Sequence, residues 1–518
     1  MNESDFTTEQ VHWIRDNLPS VRRWLGVIGG VLLIAGCASD PNTRRSPPGY
    51  DQTAPPAANP IATDPIAHSL SARLAACRDL ITSLPPRCTG GGTDWIAAQG
   101  AKLVSAANSL TADECAQSAD VTISALQARI MAISYLSFQD NREALGRLVG
   151  ETRDLLATAD GRFPQSPRIH TLNAFWHEAV ATLLGSAGKR DHIWNLGYGS
   201  NREHQRKAVA ITRDVLAVDR DALEAALIFS HCANAITIYG TAEDEDRGPL
   251  AVEAVPIMQH AWTIVAEQQP VGGPPLVLAW DQAKPLAYEV SAAYAIALTT
   301  LAELQAISGF PDLARGHLER WWLHDQDSTS RGIQLINMEA YWPSFRAANT
   351  VKTLIRLQVT HDGGEGASAD WFTLRELQIK VLRHGEKTPF FSRDELGHAL
   401  NATAWFRLVS SDVSLRNPTQ ALDCAREAVS CFRSEGENVT SSGNQEIGDR
   451  LTRNRLISLS HCLDTLAFAQ SETGDHASAL ASQEESVRIG TANNIGEATI
   501  SEYQQRLLRY RQRVIGAP

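Results

Sequence analysis

The sequence predicts an all-α protein made of tandem helical hairpins that follow a disordered, proline-rich tether. From residue 66 onward, apolar residues recur every three or four positions, and long alternations of β-branched residues do not occur. One spacing of large and small residues appears around Gly309 and again around Gly474. Prolines are dense between residues 38 and 65, where apolar residues are too few to form a core.

The repeated spacing predicts a helix, a tight turn and a second helix packed closely on the first. One copy consists of Leu298, Leu301, Ala302, Gly309, Ala314 and Leu318. The other consists of Leu463, Leu466, Ala467, Gly474, Ala479 and Gln483. Each glycine ends the first helix, because glycine adopts the left-handed conformation without steric cost. The small residues let the two backbones approach, so each copy predicts a hairpin.

Length and charge limit the classes of function. A chain of 518 residues is long enough for two or three domains or for one extended solenoid. The net charge of −12 argues against non-specific binding to nucleic acid, which requires a basic face. We therefore expect no nucleic-acid partner.

The N-terminal segment 1–37 predicts a signal peptide. The apolar run 24–36 follows Arg22 and Arg23 and ends in Ile34-Ala35-Gly36-Cys37. This ending resembles the bacterial lipobox, which implies that Cys37 is lipidated and becomes the mature N-terminus. Ala38 then favours the outer membrane, facing the periplasm. Acidic residues before the run leave open a later translation start, an uncleaved single-pass inner-membrane anchor, or a buried helix.

Residues 38–65 predict a tether between this membrane anchor and the folded body. Prolines among Ala, Asn, Thr and Asp favour an extended chain, at ~3 Å per residue and so up to roughly 80 Å in reach. Helical domains are expected at 66–360 and 370–515, separated by the glycine-rich stretch 361–369.

The cysteines suggest one disulfide and no metal site. Cys77 and Cys88 could bridge around the break at Leu84-Pro85-Pro86, although Cys115 could compete for either partner. Cys424 and Cys431 are expected to be small buried residues at a seam between helices. No cysteine or histidine pair has the spacing of metal ligands, so we expect neither a metal nor a cofactor.

The C-terminal hairpins resemble the tetratricopeptide repeat. In Leu463–Gly490, Ala467 and Ala479 occupy the positions at which that family places small residues, with Gly474 in the turn. The earlier unit Leu400–Phe432 has Ala404 in the first of these positions. The resemblance implies an α-solenoid that binds proteins or peptides, with residues 503–514 as a capping helix.

In tetratricopeptide arrays the first helix of each hairpin lines the concave face, and the resemblance therefore implies a partner-binding groove. Its predicted residues are His398, Asn401 and Trp405 in one unit and Asp464, Phe468 and Ser471 in the next. Asparagine can pair with a peptide backbone, and aromatic residues supply contact area. The alternative is that Trp405 and Phe468 are core residues between successive first helices.

We expect no enzymatic activity, because the known catalytic motifs are incomplete. His177-Glu178 begins a metalloprotease-like H-E-x-x-H motif, but Ala181 stands where the second ligand should be. The predicted function is a membrane-tethered scaffold for protein–protein interaction in the bacterial cell envelope. Two alternatives remain: a lipoprotein that binds a small ligand or peptide between the tryptophan-rich helices of 170–345, and an enzyme of unrecognised type.

Overall fold

The computed structural model describes an all-α protein. It covers residues 69–84, 93–137, 142–185, 200–239, 245–269, 271–272, 286–335, 337–361, 368–385, 393–433 and 445–516. These residues contain eighteen α-helices and one short 3₁₀ helix at Val413–Leu415, and no strand. The predicted fold class is therefore confirmed. The segments 1–37 and 38–65, with Cys37, and the residue Cys88 lie outside the described residues.

The first nine helices are α1 Leu70–Ser83, α2 Thr93–Asn108, α3 Ala112–Gln117, α4 Ala119–Leu136, α5 Arg142–Arg162, α6 Pro167–Gly185, α7 Asn201–Val218, α8 Leu223–Tyr239 and α9 Arg247–Gln268. The remaining nine are α10 Leu286–Ile307, α11 Pro311–Ser330, α12 Asn337–His361, α13 Ala369–Gly385, α14 Arg393–Val409, α15 Pro418–Arg433, α16 Gln445–Glu472, α17 His476–Ala492 and α18 Glu497–Gly516.

From α4 onward the helices pair into hairpins. The pairs are α4/α5, α6/α7, α8/α9, α10/α11, α12/α13, α14/α15 and α16/α17, and α18 packs on α17. First helices of neighbouring hairpins also touch, as α4 does with α6, α6 with α8, and α14 with α16. This is the packing of a tandem-repeat array, in which each unit buries its apolar faces against its neighbours.

The described residues divide into two compact units. One contains 69–297 and 324–334, and the other contains 298–323 and 335–516. The division falls within α10 and α11 rather than at the glycine-rich stretch 361–369, where the sequence placed a domain boundary. The reason is that α12 and α13, which flank that stretch, pack together as one hairpin. The glycines therefore connect the two helices of a hairpin.

The two turns that the repeated spacing predicts have the same backbone geometry. Gly309 has φ = 82° and Gly474 has φ = 89°. The N–H of Phe310 donates to the carbonyl of Gln305 over 2.8 Å, and that of Asp475 donates to Gln470 over 2.9 Å. With the accompanying glycine bonds to Ala306 and Ser471, both turns are Schellman motifs. The predicted hairpins at both places are confirmed.

Buried polar pairs join the two helices in four of the hairpins. Such pairs fix the register of one helix against the other, because a shift along the helix axis would leave buried polar groups without hydrogen-bond partners. The pairs are His177 Nδ1 with His204 Nδ1 at 2.7 Å, Ser291 Oγ with His324 Nε2 at 3.1 Å, Ser344 Oγ with His384 Nδ1 at 2.8 Å, and Ser460 Oγ with the Ser486 carbonyl at 2.8 Å.

Helix α10 is the one described helix that is long and apolar enough to cross a membrane by length and composition. Its mean hydropathy is 1.4, and 72% of the apolar stretch is buried inside the protein. The residues Tyr288, Val290 and Leu298 are core residues of the hairpin array.

Cys77, Cys115, Cys424 and Cys462 carry free thiols. Cys77 is buried and its thiol lies 3.8 Å from the carbonyl of Ser124. Its predicted partner Cys88 lies outside the described residues, so that disulfide stays a prediction. Cys431 is buried and Cys424 is half-buried, as expected for small residues at a seam between helices.

Candidate partner-binding face

The predicted groove residues lie on one side of α14 and α16, and α18 continues that side. Three side-chain hydrogen bonds between α16 and α18 each link residues 42 positions apart: His461 with Tyr503, Asp464 with Arg506, and Ser471 with Arg513. Helix α18 therefore runs parallel to α16 in a constant register. We call the surface formed by these positions the α14–α16–α18 face.

Helices α14 and α16 are also aligned in register. The rings of Trp405 and Phe468 lie 5.9 Å apart, tilted by 61°. His461 follows His398 in the sequence at the same separation as Phe468 follows Trp405, and so does Asp464 relative to Asn401. Equivalent positions of two hairpins therefore lie side by side on the face.

The half of the face between α16 and α18 is closed. Asp464 is 4% exposed, and its Oδ1 accepts from Arg506 Nε and from Gln483 Nε2, each over 2.8 Å. Ser471 is buried and accepts from Arg513 Nη1 over 2.6 Å. The prediction that Asp464 and Ser471 line an open groove is therefore wrong, because α18 covers both side chains.

Burial dominates the electrostatics of Asp464. Loss of solvent raises the pKa of this carboxyl, whereas Arg506 and the amide of Gln483 oppose the rise. The guanidinium of Arg506 is committed to Asp464 and also lies 3.7 Å from Glu502. The centre of the face consequently carries little net charge.

The half of the face on α14 is open. His398 is exposed, and its ring meets that of Phe432 edge-on at 5.0 Å. Asn401 is half-buried, and its Oδ1 has no hydrogen-bond partner among the described residues. A buried acceptor without a donor is destabilising by about 1–3 kcal/mol. The oxygen itself is enclosed, so only the remaining part of the half-buried Asn401 side chain faces the solvent in this conformation.

Trp405 forms the apolar part of the open half. Its ring contacts Phe468, and the guanidinium of Arg506 lies 5.9 Å from the ring centroid. Trp405 and Phe468 both remain half-buried rather than fully enclosed. They therefore pack between successive first helices, as the core alternative predicts, and still keep part of their surface exposed to solvent.

Sequence reasoning missed His461, Tyr503 and Arg506. His461 could have been found, because it repeats the position of His398 one hairpin later. Tyr503 and Arg506 could not, because the register of α18 against α16 depends on the contacts of Tyr510 with Ala467 and Ala479 in the core.

The tryptophans of 170–345 pack inside the hairpins. Trp176 is buried beside His177 and His204, and Trp262 is buried with its ring 4.6 Å from His324. Trp321 is also buried, Trp322 and Trp342 are half-buried, and Trp194 and Trp280 lie outside the described residues. The described tryptophans thus act mainly as core residues and give the predicted ligand pocket no support.

The incomplete metalloprotease motif serves packing. His177 pairs with His204, and Glu178 is buried with its carboxylate 3.2 Å from His231 Nδ1. Among the residues that the structure describes, no group of three or more His, Cys, Asp or Glu side chains converges.

No protein-family model and no curated protein matches the sequence. Three solved structures that match are tandem-repeat or IFIT1 structures. The first is a circular tandem repeat protein with novel repeat topology, at 13% identity over 86% of this chain and 98% of its own, with a TM-score of 0.26. The second is a monomeric IFIT1 mutant with Gppp-AAAA, at 13% identity over 80% and 99%, with a TM-score of 0.24. The third is the human IFIT1 dimer with m7Gppp-AAAA, at 12% identity over 82% and 95%, with a TM-score of 0.22. TM-scores this low support no inference about this chain.

Proposed function

We propose that this protein is a scaffold that binds a protein or an extended peptide on the open half of the α14–α16–α18 face. The observation that carries the proposal is that exposed His398 and half-buried Asn401 and Trp405 lie together on one side of α14 with no described helix covering them. A helical-hairpin array offers broad, rigid surfaces, which suit binding better than a reaction centre.

The chemistry of the open half fits a peptide. The backbone of an extended peptide presents N–H donors, one of which satisfies Asn401 Oδ1 once the amide rotates out of its enclosed position on binding. An apolar side chain of the partner packs on Trp405 and Phe468, which lose little conformational entropy on binding. Because Arg506 is already paired with Asp464, recognition depends on shape and hydrogen bonding more than on charge.

The partner that we propose is not a nucleic acid. The chain has a net charge of −12, and the open half presents an amide, two aromatic rings and one exposed imidazole rather than a row of cations. Phosphate neutralisation requires several lysines or arginines on one surface.

We further propose that the body is tethered to a membrane of the bacterial cell envelope through lipidated Cys37. Support comes from the apolar run 24–36, the lipobox-like ending at Cys37 and the proline-rich stretch 38–65. Mass measurement of the N-terminal peptide tests this. Acylated Cys37 at a new N-terminus is the expected result, and unmodified Cys37 still joined to Gly36 would contradict the tether while leaving the scaffold unaffected.

Photo-crosslinking tests the location of the partner-binding face. A photoreactive residue at position 402, beside Asn401 on α14, should crosslink one defined protein in intact cells. The matched control is the same group at position 505, an exposed position of α18 on the side away from Tyr503 and Tyr510. Equal crosslinking patterns at 402 and 505 would refute the proposal.

A further inference from the structure

The turn between α10 and α11 carries three large apolar side chains in water. Ile307 is 68% exposed, and Phe310 and Leu313 are each 56% exposed. Isolated exposed apolar residues are ordinary, but three on one tight turn form a protruding patch. We call these three side chains the α10–α11 knob.

The equivalent turn between α16 and α17 shows that the fold does not require this patch. Both turns are Schellman motifs with a left-handed glycine and the same pair of backbone hydrogen bonds. Where the α10–α11 turn has Ile307, Phe310 and Leu313, the α16–α17 turn has Glu472, Asp475 and Ser478. The same backbone therefore forms equally well with polar side chains.

Phe310 occupies the position at which the equivalent turn has a helix-capping residue. Asp475 caps α17, because its carboxylate accepts from the N–H of Ser478 over 3.1 Å. Phe310 holds the same position before α11, since its carbonyl accepts from Ala314 as that of Asp475 does from Ala479. A phenyl ring cannot accept this bond, so α11 begins without a side-chain cap. A residue that gives up helix stability and remains exposed points to an external contact.

A second apolar turn lies on the same edge of this unit. First helices are linked in sequence by Glu303 with Arg346 and by Lys352 with Glu395. Because every hairpin is antiparallel, the first helices run parallel, and the turns that follow them share one edge. At the α14–α15 turn on this edge, Val413 is 71% exposed and Val409 is 38% exposed.

We infer that this edge inserts the α10–α11 knob, together with Val413 of the α14–α15 turn, into the surface of a lipid bilayer. A second copy of the chain fits less well, because two such knobs bury roughly 600 Å² together, below the roughly 1,200 Å² of a stable interface. Side chains that protrude from separate turns match a flat, fluid surface better than a single pocket. The inference rests on the proposed function in one respect: the Cys37 tether keeps the α10–α11 knob within reach of a membrane.

The charge at the two turns indicates which lipid headgroups the edge should contact. The charged residues at the two turns are Asp312, Asp412 and Arg416, so these two turns have no net positive charge. Anionic headgroups therefore offer no attraction, and insertion is driven by apolar burial. Contact with zwitterionic phosphatidylcholine should equal or exceed contact with phosphatidylglycerol, and salt should not weaken it.

Lipid quenching of a site-specific label tests the inference on the full chain reconstituted in vesicles. A fluorescent amino acid replaces Leu313 in one sample and the equivalent Ser478 in the other. Phosphatidylcholine with brominated acyl chains should quench the label at 313 at least threefold more than the label at 478. Equal quenching at both positions, or quenching at 313 only in phosphatidylglycerol vesicles, would overturn the inference.

A variant that carries the polar side chains of the α16–α17 turn distinguishes membrane insertion by the knob from a role of the knob in folding. Ile307→Glu with Phe310→Asp copies the polar turn, and a label at 313 should then be quenched no more than the label at 478. This variant should also raise Tm by about 2–4 °C, since Asp at 310 can cap α11. If the knob serves only packing, the variant should instead have a lower Tm, and quenching of its 313 label should equal that in the wild-type chain.

Vesicle flotation, which measures attachment of the whole chain to the membrane, distinguishes failure of this inference from failure of the proposed tether. A chain that floats without quenching at 313 retains its anchor and refutes the knob. A chain that does not float, but whose 313 label is quenched at high lipid concentration, refutes the tether and retains the knob. A 313 label that is shielded by a bound protein and never quenched by lipid refutes the bilayer as occupant.

Discussion

Asp464 and Arg506 form a buried ion pair, with Oδ1 and Nε 2.8 Å apart, that joins α16 to α18. Asp464 is almost fully enclosed, and Arg506 also lies over the rings of Trp405 and Tyr503. The pair thus connects α18 to the open half of the α14–α16–α18 face. It sets both the position of α18 and the low net charge of the face.

Removal of one partner of this pair should be strongly destabilising. Arg506→Ala leaves a buried carboxylate without its cation, and we expect the free energy of unfolding of this unit to fall by about 3 kcal/mol. Urea denaturation followed by circular dichroism measures the change. The control is Arg509→Ala, an exposed position on the same helix, which should change stability by less than about 0.5 kcal/mol. Equal effects of both substitutions would show that the ion pair does not hold α18.

The His177–His204 pair should make the unit that contains it sensitive to acid. Burial, followed by the nearby His204 and Lys207, lowers the pKa of His177 to about 3 from an ordinary value of 6.5, and Glu203 only partly opposes this. Between these values the unfolded chain binds a proton that the folded chain does not. Stability is therefore complete above pH 6.5 and falls as the pH decreases toward 3, by an amount on the order of 2–4 kcal/mol.

Thermal denaturation between pH 7 and pH 4 measures this dependence. His177→Gln should flatten the pH profile, because glutamine stays neutral over the whole range. The control is His170→Gln on the same helix, whose half-exposed ring pairs with Asp160, and it should keep the steep profile. A steep profile in the His177→Gln variant would assign the acid sensitivity to other groups.

Two glycines of the equivalent α10/α11 and α16/α17 hairpins should respond to alanine in opposite directions. Gly474 has φ = 89°, so Gly474→Ala should be destabilising by about 1–2 kcal/mol. Gly316 lies inside α11 with no atom within 4 Å of an added Cβ, so Gly316→Ala should be stabilising by about 0.5–1 kcal/mol. Chemical denaturation of both variants gives the two signs. The same sign for both would contradict the turn geometry.

The hairpins could be predicted because their determinants are local. The left-handed glycine and the small residues on either side of it lie within about twenty positions of each other, so their spacing is visible in the sequence. The domain boundary at 361–369 could not be recognised as a hairpin connection, because nothing local in a glycine-rich stretch shows that the helices before and after it pack together. The hairpin becomes recognisable only from the packing of α12 against α13 in the structure.

Which part of the proposed face is exposed to solvent was predictable on α14 and not on α16. His398 and Trp405 keep exposed surface where the family resemblance placed them. Asp464 and Ser471 occupy equivalent positions, yet α18 covers them through Arg506 and Arg513. Sequence spacing gives the side of a helix on which a residue lies, whereas only the packed structure shows whether another helix already occupies that side.

Affinity for the crosslinked partner, once purified, tests the central claim most directly. Isothermal calorimetry should show that Asn401→Ala with Trp405→Ala weakens binding at least tenfold, because the partner loses one hydrogen bond and its apolar contact. The control Gln505→Ala, on the outer side of α18, should leave the affinity unchanged. Wild-type affinity in the Asn401→Ala, Trp405→Ala variant, with its helical content intact, would contradict the account of this face.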